Sequence, residues 1–495
     1  MPIRSSFLYA FALGLLTSLI ANSLSAGWWQ LLVLAFFWRL IDRHHFYGGI
    51  HQAKLGWCFG FAYFCHSLWW IYVSLHDVGG MPFWMASGGV VLFAGFLALF
   101  PSLATWLGSR FYAQSYSALA WAGAWTLVEG LRGYVLTGFP WAGFGDTQVN
   151  GPFMGLIPIF GVLGATFATT WGAYKIGSAP GRLFLPLFSL GFAILLTSFF
   201  NGSSYTKPLG NMLEVRLLQG NFQQTLTYDE KALVKQDDYY LDRLKEKSTD
   251  LVVAPETAIT IPENYLPQNW SQDLAEFSKN TNTHILTGII GFDHGQYANQ
   301  AKGFSPSGND YVYTKAHLVP FGEYTPPFFE WFVRAIQAPL SQFKKGTFNQ
   351  DHFKVSRPNQ PDIHAAIMIC YEDVFGSEIA ARVRDKNQQP NFLINMTNLA
   401  WFGQTAAPYQ QLRLAQLRSL ETGLPTIRAT NTGVTALIDD HGQVKSQLPI
   451  FVQDSLIGSI QPMIGHTPYV DFGDTPILFI AIFFLSIAWY QKKGF

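Results

Sequence analysis

The chain has little charge and very little cysteine for its length. Of its 495 residues, 13% are Asp, Glu, Lys or Arg, about half the share that is usual in globular proteins, and only three are cysteines. The formal net charge is zero, which gives no indication of a nucleic-acid or strongly acidic partner. The sequence also lacks blocks of like charge and the Cys/His spacings of metal sites. We therefore expect neither nucleic acid nor a metal to be bound.

The charge deficit is confined to one part of the chain. Residues 1–200 contain 12 of the 64 charged residues, and residues 201–495 contain the other 52. The first part therefore has the composition of a membrane region, and the second has that of a soluble domain.

Eight apolar segments predict transmembrane helices, since most approach or exceed the roughly 20 residues needed to cross a bilayer. The segments are 7–21, 23–41, 55–75, 82–108, 115–135, 152–174, 183–199 and 476–490. The second is the weakest, because Arg39 and Asp42 lie at its end. For the first, a cleavable secretory signal is the alternative, because Arg4 precedes the apolar run and SLSA follows it at 23–26. We interpret it as a retained span.

In the short segments that flank these spans, lysines and arginines lie on one side, although Arg132 is close to the other. The short loops on the other side, 22–25, 76–81 and 136–151, contain none, which is the positive-inside pattern. We therefore predict a bundle of eight transmembrane helices with both termini in the cytoplasm, and an extracytoplasmic domain inserted before the last helix. Helices one to seven occupy 1–200, the inserted domain 201–475, and the last helix with its tail 476–495. In a Gram-negative cell the protein would lie in the inner membrane with 201–475 in the periplasm.

One outer loop, 137–151, is rich in glycine and aromatic residues: TGFPWAGFGDTQVNG. It is either an ordinary interfacial loop with an aromatic anchor or a lip at which Trp141 and Phe144 contact a lipid substrate.

Beyond residue 213, short apolar runs alternate with polar helical stretches, which predicts a layered α/β domain with buried central strands. The predicted strands are 213–220, 250–256, 283–291, 363–372, 391–398 and 425–431, and the predicted helices are 229–247, 268–280 and 409–423. Active groups in such sheets tend to lie at the carboxyl ends of strands.

Cys370 lies in such a position, in IMICYEDVF (367–375), and is the only cysteine of the soluble part. Position alone favours a small buried hydrophobic residue over a nucleophile. A cysteine in an oxidising compartment with no second cysteine in its domain is a liability unless its thiol is used.

A glutamate and a lysine occupy comparable positions. Glu256 follows the apolar run of VVAPETAI (252–259), and Lys315 ends a short extended stretch in YTKAHLVPFGEYTP (313–326). Alone, Glu256 would most often stabilise a helix start, and Lys315 would be a solvated surface residue. Together with a thiol they form an acyl-transfer set, in which the carboxylate takes the thiol proton and the ammonium stabilises the oxyanion. Such chemistry requires no metal or organic cofactor.

The motifs around these residues resemble those of the carbon–nitrogen hydrolase, or nitrilase, superfamily. They are PET with Glu256, TKxHLVPFGEYTP with Lys315 and CYED with Cys370. The chain as a whole is similar to the apolipoprotein N-acyltransferase family, with seven or eight spans and the motifs TGFPW (137–141), QGNFQQ (219–224), NMTNLAWFG (395–403) and RATNTG (428–433). The resemblance implies an αββα sandwich with a Glu-Lys-Cys triad.

It also implies a reaction in two steps. Cys370 would take an acyl chain from a phospholipid, typically phosphatidylethanolamine, to give a thioester and a lysophospholipid. The α-amine of the diacylglyceryl cysteine of an apolipoprotein would then accept that chain. Glu256 would be the base and Lys315 the cation beside the oxyanion. We expect the enzyme to be a monomer.

The resemblance further assigns supporting positions. Glu323, Tyr371 and Glu372 match residues of the family's active site, and Trp141 and Tyr228 match aromatic positions implicated in substrate handling. The family often has an Asp where Leu399 stands here, so a polar contact from that position is not expected.

The segment PPFFEWFVRAI (326–336) combines four aromatic residues with two prolines. It is either buried core or a mobile lid that touches the outer leaflet, and we prefer the lid because an exposed apolar patch otherwise promotes aggregation. Trp331 would then contact substrate, and Trp401 would extend the same surface.

Two other functions share some of these features. A membrane-tethered amidase or nitrilase acting on a small soluble substrate would use the same triad, but it gives no reason for eight spans. A transporter with a degenerate hydrolase domain is disfavoured by the intact Glu256, Lys315 and Cys370 and by the scarcity of charge within the spans.

Overall fold

The computed structural model describes residues 3–23, 26–112, 116–178, 191, 193–195, 197, 204–223, 230–246, 249–293, 295–327, 330, 342–385 and 388–492. It divides into two compact units. The helical unit comprises 1–204, 405–413 and 467–495, and the sheet unit comprises 205–404 and 414–466.

The bounds of the elements follow in chain order. The helices are α1 Ile3–Ala21, α2 Ala26–Arg43, α3 Gly49–Ser67, α4 Trp70–Val73, α5 Phe83–Leu97, α6 Leu99–Gly108, α7 Ser117–Arg132, α8 Ile157–Gly177, α9 Glu230–Leu244, α10 Trp270–Thr281, α11 Gly376–Val383, α12 Ala407–Thr422, α13 Pro468–Phe472 and α14 Thr475–Lys492. The strands are β1 Thr206–Pro208, β2 Leu213–Gln219, β3 Leu251–Val253, β4 His284–Asp293, β5 Gln296–Phe304, β6 Asp310–Thr314, β7 Phe353–Val355, β8 Ile363–Ile369, β9 Phe392–Thr397, β10 Thr426–Thr430, β11 Ala436–Ile438, β12 Val444–Gln447, β13 Asp454–Ile460 and β14 Met463–Gly465.

Three helical stretches in the described part of the chain are long and apolar enough to cross a membrane: Arg4–Ala21, Phe83–Phe111 and Met154–Gly177. A fourth is obtained if Gly49–Ser67 and Trp70–Val78, bent by 48° at a short break, form one span. The last helix is apolar but shorter. The predicted spans 23–41 and 115–135 correspond to helices α2 and α7, which do not meet the same criterion, and the predicted span 183–199 lies largely outside the described residues. The number of eight spans therefore stays a prediction.

Small residues allow helices of the helical unit to approach closely. A Cβ atom on Gly14 of α1 would lie 2.1 Å from the carbonyl oxygen of Phe59 in α3, and one on Gly123 of α7 would lie 2.8 Å from that of Ala481 in α14. Such contacts are a common way of packing helices where lipid removes the hydrophobic driving force.

The sheet unit contains two six-stranded sheets with the strand orders β13-β2-β3-β4-β5-β6 and β12-β11-β10-β9-β8-β7. The central pairs β2–β3, β3–β4, β8–β9 and β9–β10 are parallel, and the outer pairs are antiparallel. All six predicted strands and all three predicted helices of the soluble part are present.

The alternation of side chains along the strands determines the layers. Leu251 and Val253 of β3 join Ile367 and Ile369 of β8 in one apolar core, so the two sheets pack face to face. Val252 points to the other side, into a second core that includes residues of α9 and α10. The other sheet is contacted by α11, where Arg382 donates to the carbonyl of Ile367, and by α12, where Ser419 bonds Thr426. The order of layers is helix, sheet, sheet, helix.

Candidate active site

The three predicted catalytic residues each follow a strand of the sheet unit. Glu256 lies three residues beyond β3, Lys315 directly follows β6, and Cys370 directly follows β8. Glu256 and Lys315 thus come from one sheet and Cys370 from the other. The structure brings all three together, since the charges of Glu256 and Lys315 both act on the Cys370 thiol.

Glu256 is 7% exposed, and both of its carboxylate oxygens accept hydrogen bonds. Oε1 accepts from Lys315 Nζ at 3.1 Å and from Asn299 Nδ2 at 2.8 Å. Oε2 accepts from the backbone N–H of Asn398 at 2.8 Å. The three donors come from different segments, so the carboxylate is held in one orientation.

Lys315 is 1% exposed and lies between two carboxylates. Its Nζ donates to Glu256 Oε1 and, at 2.9 Å, to Glu323 Oε1, which also accepts from Asn299 Nδ2 at 2.8 Å. Burial alone would lower the pKa of Lys315, but the charges of Glu256 and Glu323 outweigh it and raise that pKa above its ordinary value. The ammonium is therefore charged at neutral pH.

Cys370 begins a 3₁₀ turn, Cys370–Val374, with a φ of 50°. A non-glycine residue in this left-handed region is strained, and such strain persists only where the surroundings determine the backbone. Burial raises the pKa of the Cys370 thiol well above its ordinary value, as do the charges of Glu256, Asp373 and Glu323, while Lys315 lowers it. The resting group is thus a neutral thiol, which needs a base when it attacks.

Three buried arginines hold the turn that starts at Cys370. Arg382 pairs with Glu372 at 3.0 Å, Arg428 pairs with Asp373 at 3.2 Å, and Arg418 donates to the carbonyl of Val374 at 3.4 Å. Three successive residues of the turn are therefore each bound to a different guanidinium group.

Glu372 also joins the nucleophile segment to the lysine segment. Its carboxylate accepts from the N–H of Ile369 at 2.7 Å, from that of Ala316 at 2.8 Å and from that of His317 at 3.1 Å. It is fully buried, and burial would raise its pKa, but Arg382 and the N–H groups of Ile369 and Ala316 lower it. An ionised Glu372 thus fixes the backbone just before Cys370 and just after Lys315.

The aromatic ring of Tyr371 lies beside the nucleophile turn. It is 8% exposed, with its centroid 5.6 Å from that of His317 and 5.2 Å from that of Phe375. The sequence identified Tyr371, Glu372 and Glu323 only through their resemblance to a family, and the structure brings all three to the segments of Cys370 and Lys315.

Sequence reasoning missed Asn299, Asn398 and the three arginines. Asn299 lies inside β5 and is 2% exposed, and a buried amide in a strand is a weak signal that its partners are charged. Asn398 acts through its backbone, which no sequence pattern reveals. Leu399 is fully buried, and a Cβ atom on Gly433 would lie 2.9 Å from its Cδ1, so this position is packed with apolar atoms.

The predicted substrate-binding aromatics have different locations. Trp141 and Phe144 are 4% and 3% exposed within the helical unit. The Trp141 indole donates to Gln410 at 2.9 Å, and the Phe144 ring stacks on Trp125 with centroids 4.8 Å apart. Their contact with substrate stays a prediction. Trp401 is half-buried in the sheet unit. Tyr228 and Trp331, with most of the predicted lid 326–336, lie outside the described residues.

Comparison with known families finds two matches that together span most of the chain. Residues 13–174 match the apolipoprotein N-acyltransferase N-terminal domain, and residues 214–469 match the carbon-nitrogen hydrolase family. The second match establishes a carbon–nitrogen hydrolase, or nitrilase-like, fold for the sheet unit.

Similar proteins from several bacteria carry one name. An apolipoprotein N-acyltransferase from Ralstonia nicotianae is 37% identical over 89% of this chain and 85% of its own length. One from Bordetella bronchiseptica is 35% identical over 86% of this chain and 85% of its own length. Among solved structures, a CN-hydrolase superfamily protein from Xanthomonas campestris is 17% identical, with a TM-score of 0.38, over 51% of this chain and 91% of that one.

Proposed function

Because the chain belongs to the apolipoprotein N-acyltransferase family, we propose that it acylates lipoproteins through a thioester on Cys370. The acyl donor is a membrane phospholipid. The acceptor is the α-amine of the diacylglyceryl cysteine of an apolipoprotein. Glu256, Lys315 and Cys370 carry the chemistry, and Glu323, Tyr371 and Glu372 support them.

One observation carries this mechanism: a buried lysine held by two carboxylates at the end of a strand, with a half-buried thiol in the field of all three groups. An ammonium has three N–H donors. Lys315 uses two of them on Glu256 and Glu323, and we assign the third to the oxyanion that develops on the acyl carbonyl.

In the first half-reaction Glu256 takes the thiol proton as Cys370 Sγ attacks the ester carbonyl of the phospholipid. The new bond is C–S. The ester C–O bond breaks, and Glu256 returns the proton to the departing glycerol oxygen, which leaves as the hydroxyl of a lysophospholipid. Because the thiol pKa is raised, deprotonation has to accompany attack.

In the second half-reaction the neutral α-amine of the acceptor attacks the thioester carbonyl. A C–N bond forms and the C–S bond breaks. The sulfur leaves as a thiolate, Glu256 takes a proton from the nitrogen, and that proton restores the thiol. The products are the amide of a triacylated lipoprotein and the free enzyme.

The composition of the helical unit fits substrates that carry acyl chains. The chain is a membrane protein, as its family and its long apolar helices indicate. We propose that 1–200 forms seven spans, 201–475 a periplasmic domain and 476–495 an eighth span with its tail, in a monomer of the inner membrane. The charge asymmetry of the loops supports this orientation. A tag inserted at residue 205 should react from the periplasmic side, and its protection there would reverse the orientation.

The mechanism is tested by incubating the purified protein with phosphatidylethanolamine in detergent micelles and measuring intact mass. The wild type should gain the mass of one acyl chain, and Cys370→Ala should gain none. Cys58→Ser and Cys65→Ser are matched controls, because both cysteines lie in α3 of the helical unit, and both should gain the chain as the wild type does. Addition of a diacylated lipopeptide should then remove it.

The amidase alternative predicts a different outcome in the same preparation. A wild-type protein that forms no thioester with phospholipid but hydrolyses a small soluble amide would exclude acyl transfer from lipid. For the proposed lid, replacing Phe328 and Trp331 together by Ala should slow acyl transfer and leave alkylation of Cys370 unchanged. Unchanged transfer would assign those aromatics to the core.

A further inference from the structure

The ion pair between Arg428 and Asp373 is the most buried of those around the nucleophile. Both side chains are fully buried, and Nη1 of Arg428 lies 3.2 Å from Oδ2 of Asp373. The same Nη1 donates at 2.6 Å to Oδ1 of Asn395, which also accepts from the Thr397 hydroxyl at 2.7 Å. Arg428 therefore ties the turn after Cys370 to Asn395 of β9, which Thr397 of the same strand also bonds.

The location of Arg428 explains why this tie is rigid. Arg428 lies in β10, which pairs in parallel with β9, and β9 pairs in parallel with β8, the strand that delivers Cys370. Arg428 is opposite Asn395 in register, and Asn395 is opposite Met368. The guanidinium group is thus carried by central strands of the sheet, which lack the freedom of a loop.

Cys370 needs such support because its backbone is strained. Its φ of 50° is sparsely populated by L residues, and such a conformation persists only where neighbouring contacts hold it. Arg382 binds the turn through Glu372, and Arg418 binds it through the backbone carbonyl of Val374. The charge of Arg428 also interacts with the Cys370 thiol.

We propose that Arg428, through Asp373, is a positioning residue that holds the strained Cys370 turn and offsets the negative charge that faces the thiol. This inference rests on the proposed thioester mechanism. Among the described residues, the positive charges of Lys315 and Arg428 and the negative charges of Glu256, Glu323 and Asp373 act on Cys370. Without Arg428, Asp373 would be a buried, uncompensated charge beside the nucleophile.

The role is tested by the pH dependence of Cys370 alkylation with iodoacetamide, measured on the full-length protein in detergent. Since the thiolate is the reactive form, the midpoint of the alkylation rate reports the thiol's titration. Arg428→Met should move this midpoint upward, because a cation is lost. Asp373→Asn should move it downward, because an anion is lost. Arg428→Lys retains the charge and should stay close to the wild type.

Acyl-enzyme formation from phosphatidylethanolamine provides the second measurement. Arg428→Met should lower the maximal rate of acyl-enzyme formation by roughly tenfold or more, with little change in the phospholipid concentration that gives half of that rate. The reason is that a buried charge without its partner disturbs the turn that carries the nucleophile. Removing both charges, in the double variant of Asp373→Asn with Arg428→Met, should restore part of that loss, since no uncompensated charge then remains.

Arg418→Met is the matched control, because Arg418 is another buried arginine that binds the same turn but only through the carbonyl of Val374. It should lower the unfolding temperature without moving the alkylation midpoint. If Arg428→Met behaves in the same way, or if Arg428→Met and Asp373→Asn move the midpoint in one direction, the proposal is wrong.

The role of Arg428 can be tested even if Arg428→Met does not fold or the wild type forms no thioester. Should Arg428→Met fail to fold, Asp373→Asn and Arg428→Lys still predict a lowered and an unchanged midpoint. Alkylation needs no acyl donor, so a wild type that forms no thioester would contradict the proposed function, while the alkylation midpoints would still decide the role of Arg428.

Discussion

Both units bury charged side chains, but they use them differently. In the helical unit the partners of the buried charges are mostly neutral backbone groups. Arg132 donates at 2.6 Å to the carbonyl oxygens of Phe139 and Trp141, and Asp146 accepts at 2.8 Å from the N–H of Gly143. These bonds fix the shape of the loop 137–151.

In the sheet unit the buried charges around Cys370 are paired with opposite charges. Lys315 lies between Glu256 and Glu323, Arg382 pairs with Glu372, and Arg428 pairs with Asp373. Such pairs fix shape too, but they also determine the electrostatic potential at the thiol. The comparison indicates that charge in the helical unit positions a loop, whereas charge in the sheet unit positions and tunes a nucleophile.

The largest expected effect comes from changing the base without changing its size. Glu256→Gln should reduce the rate of acyl-enzyme formation by about 10²–10⁴-fold, because a general base is lost. The same change should accelerate alkylation of Cys370 at pH 8, since the charge of Glu256 raises the thiol pKa and its removal lowers that pKa. Intact mass and iodoacetamide kinetics measure the two rates.

If Glu256→Gln slows acyl-enzyme formation but accelerates alkylation, Glu256 acts on the thiol pKa through its charge and is not needed to position the thiol. A variant that loses both acylation and alkylation has a displaced thiol. The conclusion that charge in the sheet unit tunes the nucleophile would then be wrong for Glu256. Asn299→Asp is a useful companion, because it keeps the size of a residue that bonds Glu256 but adds a negative charge, and should slow alkylation at pH 8.

The second effect is on stability. Glu372→Ala should lower the free energy of unfolding by about 3–5 kcal/mol, because Arg382 would remain buried without its partner. The folded-state pKa of Glu372 is lowered, so its contribution is present above the unfolded pKa of about 4.3 and is lost as the pH falls through the folded value. Unfolding temperatures of wild type and variant should therefore converge in acid.

A combined replacement distinguishes loss of the pair from loss of the carboxylate alone. In the double variant of Glu372→Ala with Arg382→Leu, part of the stability should return, since no buried charge is then left unpaired. A double variant as unstable as Glu372→Ala would instead assign the effect to the backbone N–H groups of Ile369, Ala316 and His317.

The sequence predicted strands better than it predicted the surroundings of the site. The strands that precede Glu256 and Cys370 were predicted because apolar runs of this length, bounded by polar helices, have few other interpretations. The same runs show which residues end a strand. They do not show that β3 and β8 belong to different sheets, because the packing of one sheet on another is set by contacts distant in sequence.

The arginines and amides around Cys370 could not be predicted from the sequence for a related reason. Arg428 and Asn395 lie in buried strands, where they resemble isolated exceptions to an apolar pattern until their partners are known. A glycine-rich aromatic loop is typical of an interface, but its sequence does not show the partners of Trp141. One of them is Gln410, which lies 269 residues further along the chain.

A third, smaller effect tests the helical unit. Arg132→Met should lower the unfolding free energy by about 1–3 kcal/mol, because two buried carbonyl groups lose a charged donor. It should leave the pH midpoint of Cys370 alkylation unchanged. Arg110→Met is the control, since Arg110 is an exposed residue stacked on Trp106 and should have little effect. A shifted midpoint in Arg132→Met would show that charge in the helical unit also tunes the thiol.

The smallest effect is expected where a charge pair lies at the surface. Lys354 and Asp362 approach to 2.6 Å, but their side chains are 54% and 47% exposed. Lys354→Met should therefore change the unfolding free energy by less than about 0.5 kcal/mol, because solvent screens the pair. The bond to Lys354 lowers the pKa of Asp362, so this small contribution exists above the unfolded pKa of about 3.9 and is lost as the pH falls through the folded value.

Salt offers the corresponding measurement on the wild type. If burial is what makes the pairs around Cys370 strong, 1 M NaCl should remove the difference between Lys354→Met and wild type while leaving that between Glu372→Ala and wild type nearly intact. Equal sensitivity to salt would mean that water reaches the buried pairs. The electrostatic potential at the Cys370 thiol would then depend on ionic strength. The raised pKa of Cys370 could not be attributed to a turn whose charges are paired and shielded from water.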